Sequence, residues 1–337
     1  MQALLALLGH PEQTYPAIHV VGTNGKSTAT VTIECLLLGE GITVGSTISP
    51  HIRGWEERIR LNGMPTDLPA AIRRVRPAAE SVEATQFETI TATALMEFAA
   101  AGIDVAVVEA GLGGRHDATN VLRSSVVLLT NVGLDHTDVL GSTLEKIATE
   151  KLAVVHSDDT VVVLPDDTFA ALVPAGRIVF GGPRDAAAAF VGRHPDTLAA
   201  VPSANALPGR LERRRGEIRD GAHNPDGVAW LCTQLADSSA PAPLDYTVCA
   251  SILVDKDADA MLRGLATLGS RFVATASSNP RSLTATELAT RARRFFTQVE
   301  TVDEPAAAVQ RAHELGEPVL ITGSLYLLSD LEAASTP

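Results

Sequence analysis

Short apolar runs, each ending in a polar or glycine-rich turn and followed by a helical stretch, recur along this chain. That alternation predicts an α/β fold with mainly parallel sheets. In the first half the runs at 103–109, 126–130, 161–164 and 178–180 read as strands, and the alanine-rich stretch 88–101 reads as a helix. Residues 3–8 suit an amphipathic first helix better than a signal peptide, since no basic region precedes them. Residues 181–209 are rich in Gly, Pro, Ala and Ser without clear periodicity, which predicts a linker. A second α/β unit follows, with strands near 246–251, 272–275 and 319–322 and helices near 227–236, 258–268, 285–296 and 304–315. The division expected is 1–206 and 207–337.

The chain of 337 residues exceeds one typical domain, and 45% hydrophobic content is enough for two cores. No apolar run is long enough to span a bilayer. A formal charge of −13 argues against nucleic acid or an anionic membrane as partner. Cys35, Cys232 and Cys249 form no framework or metal spacing, which suits buried thiols in a reducing cytoplasm. Among 27 basic residues only Lys26, Lys146, Lys151 and Lys256 are lysines, so each lysine is a candidate for specific chemistry.

Candidate chemistry begins where the strand before Gly22 runs into Gly22-Thr23-Asn24-Gly25-Lys26-Ser27-Thr28 and a helix over 29–38. Glycines there let backbone N–H groups turn toward phosphate oxygens, and the helix start adds partial positive charge. Lys26 can reach terminal phosphates, and Ser27 or Thr28 can ligate Mg²⁺. The loop departs from the strict P-loop spelling, with Val20 where the first glycine belongs.

Glu109 ends an apolar run and opens a glycine-rich segment through His116, Asp117 and Asn120, at the strand edge where open α/β sheets bind ligands. Asp135 and His136 follow the run at 126–130 and project from the same edge. A helix N-cap by Thr137 or Asp138 is the plainer alternative. Lys151 closes a helix beginning near Thr143, where complementing the helix dipole is the plainer role. Downstream, Arg210 offers a bidentate fork to phosphate, and Asp220, His223 and Asn224 form a polar cluster before a helix. Lys256 lies in a polar loop after a strand.

Taken in order, these strings resemble the folylpolyglutamate synthase/dihydrofolate synthase family of the Mur-ligase superfamily. They are His-Val-Val-Gly-Thr-Asn-Gly-Lys-Ser (19–27), Ser-Pro-His (49–51), Phe-Glu (87–88), the segment 109–120, Leu-Asp-His-Thr-Asp (134–138), Glu-Lys (150–151), Leu-Pro-Gly-Arg-Leu-Glu (207–212), Asp-Gly-Ala-His-Asn-Pro (220–225) and Thr-Gly-Ser-Leu-Tyr (322–326). The resemblance implies a P-loop-containing, Mur-ligase-like domain with a mainly parallel sheet and a smaller Rossmann-like α/β C-terminal domain. It implies an ATP-dependent ligase that forms an acyl phosphate on a carboxylate and couples it to an amino acid's amine.

By the same resemblance, Lys26 and the loop 22–28 hold phosphates, and Ser27, Ser49, Glu109 and His136 hold Mg²⁺. Lys151 matches a lysine that is carbamylated in such ligases, giving a ligand for a second Mg²⁺. Lys26, Lys151 and His136 are then the catalytic set. Arg210, Asp220, His223 and Asn224 match residues that reach ATP when two domains close, and Phe87, His116, Asp117 and Lys256 are candidates for contacts with the acid and amino acid. The partners implied are a small-molecule carboxylate and an amino acid, in a cytoplasmic monomer or dimer. Four departures are visible: Ser27-Thr28 stands where the folate enzymes have Gly-Ser, His116 where the family usually has Leu, Gly54-Trp55 where it has Phe-Asn, and 152–206 is shorter than its counterpart. They leave open the same chemistry on a non-folate acid, or a nucleotide-binding subunit that no longer ligates.

Overall fold

The computed structural model describes residues 1–199, 207–236 and 245–335. The chain divides into two compact units, Met1–Asn205 and Ala206–Pro337. In the first, the elements run α1 (Gln2–Leu7), β1 (Ala17–Val21), α2 (Lys26–Gly39), β2 (Val44–Thr47), β3 (Ile59–Leu61), β4 (Met64–Pro65), α3 (Leu68–Ser81) and α4 (Gln86–Ala101). They continue with β5 (Val105–Glu109), β6 (Val126–Leu129), the short α5 (Thr137–Leu140), α6 (Leu144–Leu152), β7 (Val161–Leu164), β8 (Arg177–Phe180) and α7 (Pro183–Val191).

The sheet order is β4-β3-β2-β5-β1-β6-β7-β8, parallel throughout except for the β2-β3-β4 meander. All five residues of β1 are buried, as the central strand of a sheet covered on both faces requires. Ile18 and Val20 pack with Ile33, Leu37 and the buried alanines 186–188 on the face held by α2 and α7. Ala17 packs on the opposite face with Leu95 and Phe98 of α4, and strand alternation sends His19 to that face too. Register then places the chemistry: Val20 pairs with Glu109, and Val21 pairs with Leu129. The ends of β5 and β6 therefore flank the loop that leaves β1.

In the second unit the elements are β9 (Glu212–Arg214), β10 (Glu217–Arg219), α8 (Pro225–Ala236), β11 (Thr247–Ala250), α9 (Ala258–Leu265), β12 (Arg271–Ala274), α10 (Ala285–Ala292), β13 (Gln298–Thr301), α11 (Pro305–Leu315), β14 (Val319–Thr322) and α12 (Leu325–Ser335). The sheet order is β13-β12-β11-β14-β10-β9, with only β9 antiparallel. Leu231, Met261, Leu288 and Phe272 join α8, α9, α10 and the sheet in one apolar cluster.

The stretch 181–209 is not a linker throughout. Residues 183–191 form α7, and Ala186, Ala187 and Ala188 are buried in the first core. Small alanine side chains gave that face little hydropathy contrast, although Gly192 ends it in the left-handed conformation helices favour. Residues 200–206 of the expected linker lie outside the described residues. None of the three cysteines is in a disulfide; Cys249 is buried, while Cys35 and Cys232 are half-buried. No helix among the described residues is long and apolar enough to cross a membrane.

Candidate active site

The loop after β1 is built for close approach. Gly25 N-caps α2 at φ +77°, and no side chain caps that helix start. A helix start of this kind can take an anion on its first N–H groups. Gly22 has φ +152°, and a Cβ there would stand 1.9 Å from Thr130 Oγ1. The loop after β6 fixes this geometry from beneath. Thr23 N donates to the Asn131 carbonyl at 3.0 Å, Asn24 N to Asn131 Oδ1 at 2.8 Å, and Thr130 Oγ1 to the Asn24 carbonyl at 2.7 Å. Lys26 folds back on its loop, with Nζ 3.2 Å from the Thr23 carbonyl. Thr28 lies in the first turn of α2 and is exposed.

Glu109 is buried at the end of β5 and ties two loops together. It accepts from Ser27 Oγ at 3.1 Å with one oxygen and from the Ser49 backbone N–H at 3.0 Å with the other. Ser27, Ser49 and Glu109 thus meet, Ser27 through its hydroxyl and Ser49 through its backbone. The donors there are hydroxyl and carboxylate oxygens, the set a hard Mg²⁺ ion takes.

Lys151 is not a surface lysine complementing a helix dipole. Only 3% of it is exposed, and Nζ donates to the Gly22 carbonyl at 2.8 Å. Burial first, then the charge of Lys26, pushes its pKa down to about 7. The glycine-rich segment after Glu109 holds α6 in place. A Cβ at Gly114 would stand 2.6 Å from the carbonyls of both Glu150 and Lys151, and Arg115 N donates to the Glu150 carbonyl at 3.1 Å.

His136 lies at the start of α5 in a left-handed conformation, and no side chain caps that helix; Thr137 and Asp138 sit in its first turn instead. Its imidazole is exposed, with Nε2 3.9 Å from Asp135. Among the described residues no three of His, Cys, Asp or Glu converge as a metal centre.

Phe87 and Asp117 meet across Gly111, where a Cβ would stand 2.5 Å from the Phe87 ring and 3.1 Å from Asp117 Oδ2. Asp117 also accepts from Leu112 N at 2.8 Å, and His116 beside it is exposed. A cavity of about 760 Å³ lies between α3, the start of α4 and Trp55, and none of Phe87, His116 and Asp117 lines it.

The second unit gathers its own candidates. Asp220, buried, accepts from Leu211 N at 2.8 Å and Ala222 N at 2.9 Å, and burial raises its pKa. The Arg210 guanidinium lies over Gly221, where a Cβ would stand 2.7 Å from it. His223 Nδ1 contacts the Gly221 carbonyl at 2.8 Å, and Asn224 Oδ1 accepts from Gly227 N at 2.8 Å. Lys256 is nearly buried, 3.8 Å from Asp255.

Sequence reasoning passed over Thr130 and Asn131, which shape the phosphate loop, and His19, which sits within an apolar strand. The signal for the first two was position, directly after a buried strand on the same sheet edge.

A glycine-rich strand–helix loop, a buried carboxylate beside it and a buried lysine against its first carbonyl define a nucleotide-dependent ligase of the Mur type. Residues 20–179 match the Mur ligase middle domain. The dihydrofolate synthase/folylpolyglutamate synthase of Mycobacterium tuberculosis is 30% identical over 94% of this chain and 82% of that protein. The M. tuberculosis folylpolyglutamate synthase complexed with ADP and AMPPCP superposes with TM-score 0.88, at 28% identity, over 100% of this chain and 94% of that one. The Yersinia pestis bifunctional enzyme complexed with AMPPNP and Mn ion gives 0.83 at 25% identity, over 98% and 92%. The chain belongs to the dihydrofolate synthase/folylpolyglutamate synthase family.

Proposed function

We propose that this chain is an ATP-dependent amide ligase adding glutamate to a folate-type acid. The observation that carries the reading is the meeting of Ser27, Ser49 and Glu109 beside the phosphate loop, with Lys151 on the Gly22 carbonyl. The loop amides and Lys26 bind the β- and γ-phosphates of ATP. The acid's carboxylate attacks the γ-phosphorus, ADP leaves, and an acyl phosphate forms. The amino acid's neutral amine then attacks the acyl carbon; phosphate leaves with the C–O electron pair, and the amine proton passes to solvent. Ligation of this kind depends on positioning and charge neutralisation more than on covalent help from the protein.

Ser27, Ser49, Glu109 and His136 are the residues that would hold Mg²⁺. The ion neutralises phosphate charge when bound. Lys151, with its pKa near 7, is half neutral at that pH and so nucleophilic toward CO2. Its amine adds to the CO2 carbon and releases one proton, leaving a carbamate that replaces a buried cation with an oxygen ligand. Arg210, Asp220, His223 and Asn224 of the second unit are assigned to ATP, and Lys256, Phe87, His116 and Asp117 to the acid and amino acid.

ADP release by purified protein should require an acid and an amine together. Dihydropteroate with glutamate, set against a panel of other carboxylic acids, tests the substrate. Turnover of another acid alone would move the same chemistry to a non-folate substrate, a reading favoured by the exposed His116 beside Asp117. ATP turnover indifferent to every pair would sink the ligase.

A further inference from the structure

His19 lies at the middle of β1, fully buried, in a strand whose other members are all apolar. An imidazole there must have work for its polar atoms, because a buried polar group without a partner costs stability. Its Nε2 lies 2.8 Å from Thr119 Oγ1, and Thr119 is itself buried. The Thr119 hydroxyl gives its one proton to Asp117 Oδ1, 2.5 Å away. It can then only accept from the ring, so the proton of His19 sits on Nε2. Nδ1 is buried with no hydrogen-bond partner, which a bare lone pair tolerates better than an N–H. Burial agrees, pushing the pKa down to about 4 and keeping the ring neutral.

The chain of bonds ends on a carboxylate with further duties. Asp117 Oδ1 also accepts from Thr119 N at 2.9 Å, and Oδ2 accepts from Leu112 N at 2.8 Å. Those bonds close the glycine-rich turn over Phe87.

We propose that His19 is a positioning residue for the acid substrate: through the Thr119 hydroxyl it fixes the rotamer of Asp117, and with it the turn 111–117 against Phe87. This rests on the assignment of Phe87 and Asp117 to the acid. The side chain touches no reacting atom. It sets, from inside the sheet, the shape of the surface the acid meets, and the phosphate loop on the same strand does not depend on it.

The test uses His19→Phe, which keeps ring volume and removes the donor, and His19→Gln, whose amide nitrogen stands near the Nε2 position. Thr119→Val breaks the next link from a loop, leaving the strand untouched should the first variant fold poorly. His19→Phe and Thr119→Val should each raise the KM for the acid about tenfold, with kcat and the KM for ATP little changed. His19→Gln should recover most of the loss, and the double variant should be no worse than either single one, since both cut the same chain. Amide hydrogen exchange supplies a readout without turnover: protection at Leu112 and Thr119 should fall about tenfold, while the 22–27 loop keeps its own. Unchanged protection at those two amides would overturn the proposal. Lost protection with an unchanged acid KM would leave His19 holding Asp117 but strike Asp117 from the acid site. That outcome overturns the substrate role and is distinct from a wild-type protein that ligates nothing.

Discussion

Lys151 Nζ donates to the Gly22 carbonyl at 2.8 Å, joining the last turn of α6 to the first residue of the phosphate loop. An ordinary lysine at a helix end points into water; this one is buried against the loop that leaves β1. The cost is visible in its acidity. The unfolded chain keeps that proton up to its ordinary value of 10.5, whereas the folded chain gives it up at about 7. Between those values the unfolded state binds more protons, so stability rises with pH, and the penalty is full below pH 7. Lys151→Met should therefore be more stable than wild type at pH 7, with the difference shrinking as pH rises toward 10. Urea midpoints across that range measure it; a gap independent of pH would show the ammonium carries no such cost. Turnover by Lys151→Met should be abolished.

Gly114 governs how closely the segment after β5 approaches α6. Its hypothetical Cβ meets two backbone carbonyls at 2.6 Å, and backbone cannot rotate aside as a flexible side chain can. Gly114→Ala should cost about 1–3 kcal/mol and displace Lys151 from the Gly22 carbonyl, lowering turnover by far more than it lowers stability. Gly111→Ala is the useful contrast, because its nearest obstacle is the Phe87 ring at 2.5 Å. Adding Phe87→Leu should restore most of the stability lost in Gly111→Ala, and equal denaturation midpoints for the single and double variants would refute the contact.

Much of this architecture was legible because its strands carry unbroken apolar runs that end in chemistry. Glu109 closes five buried residues, and the loop from Gly22 follows five more, so the sheet edge could be read directly. The resemblance to ligases supplied the roles. What escaped had weak or misleading contrast. The alanines of α7 read as a linker, and the two-residue β4 carries too little pattern to predict. Lys151 at a helix end looked like a dipole partner until packing against the Gly22 carbonyl gave it a buried position. His136, assigned to Mg²⁺ by its place in the motif, stands exposed at the start of α5.

Glu109 supports two loops and carries a charge, and these duties can be separated. Glu109→Gln keeps an oxygen to accept from one partner, Ser27 or Ser49, and loses the charge. The protein should fold, with circular dichroism close to wild type. ADP release at saturating substrates should drop about 100-fold or more, on the scale of losing one preorganised electrostatic contact, and half-maximal activity should need more Mg²⁺. Near-normal turnover with an unchanged Mg²⁺ requirement would remove Glu109 from the metal assignment.

Asp220 is held by structure before it serves any ligand. Its two oxygens take the N–H groups of Leu211 and Ala222, pinning the turn after β10 to the approach of β9. Burial raises its pKa in spite of those bonds and of the Arg210 charge, so desolvation outweighs the attraction. Asp220→Ala leaves two N–H groups without acceptors and should destabilise the second unit by about 2 kcal/mol or more. Asp220→Asn, which keeps one acceptor and removes the buried charge, should lose less. The chain has two tryptophans, Trp55 in the first unit and Trp230 in α8 of the second. In a Trp55→Phe background, fluorescence therefore follows the second unit alone through urea denaturation. If the Asp220→Ala midpoint matched that of the parent, the carboxylate would have no structural duty, and any loss of ATP affinity would belong to direct contact with the nucleotide.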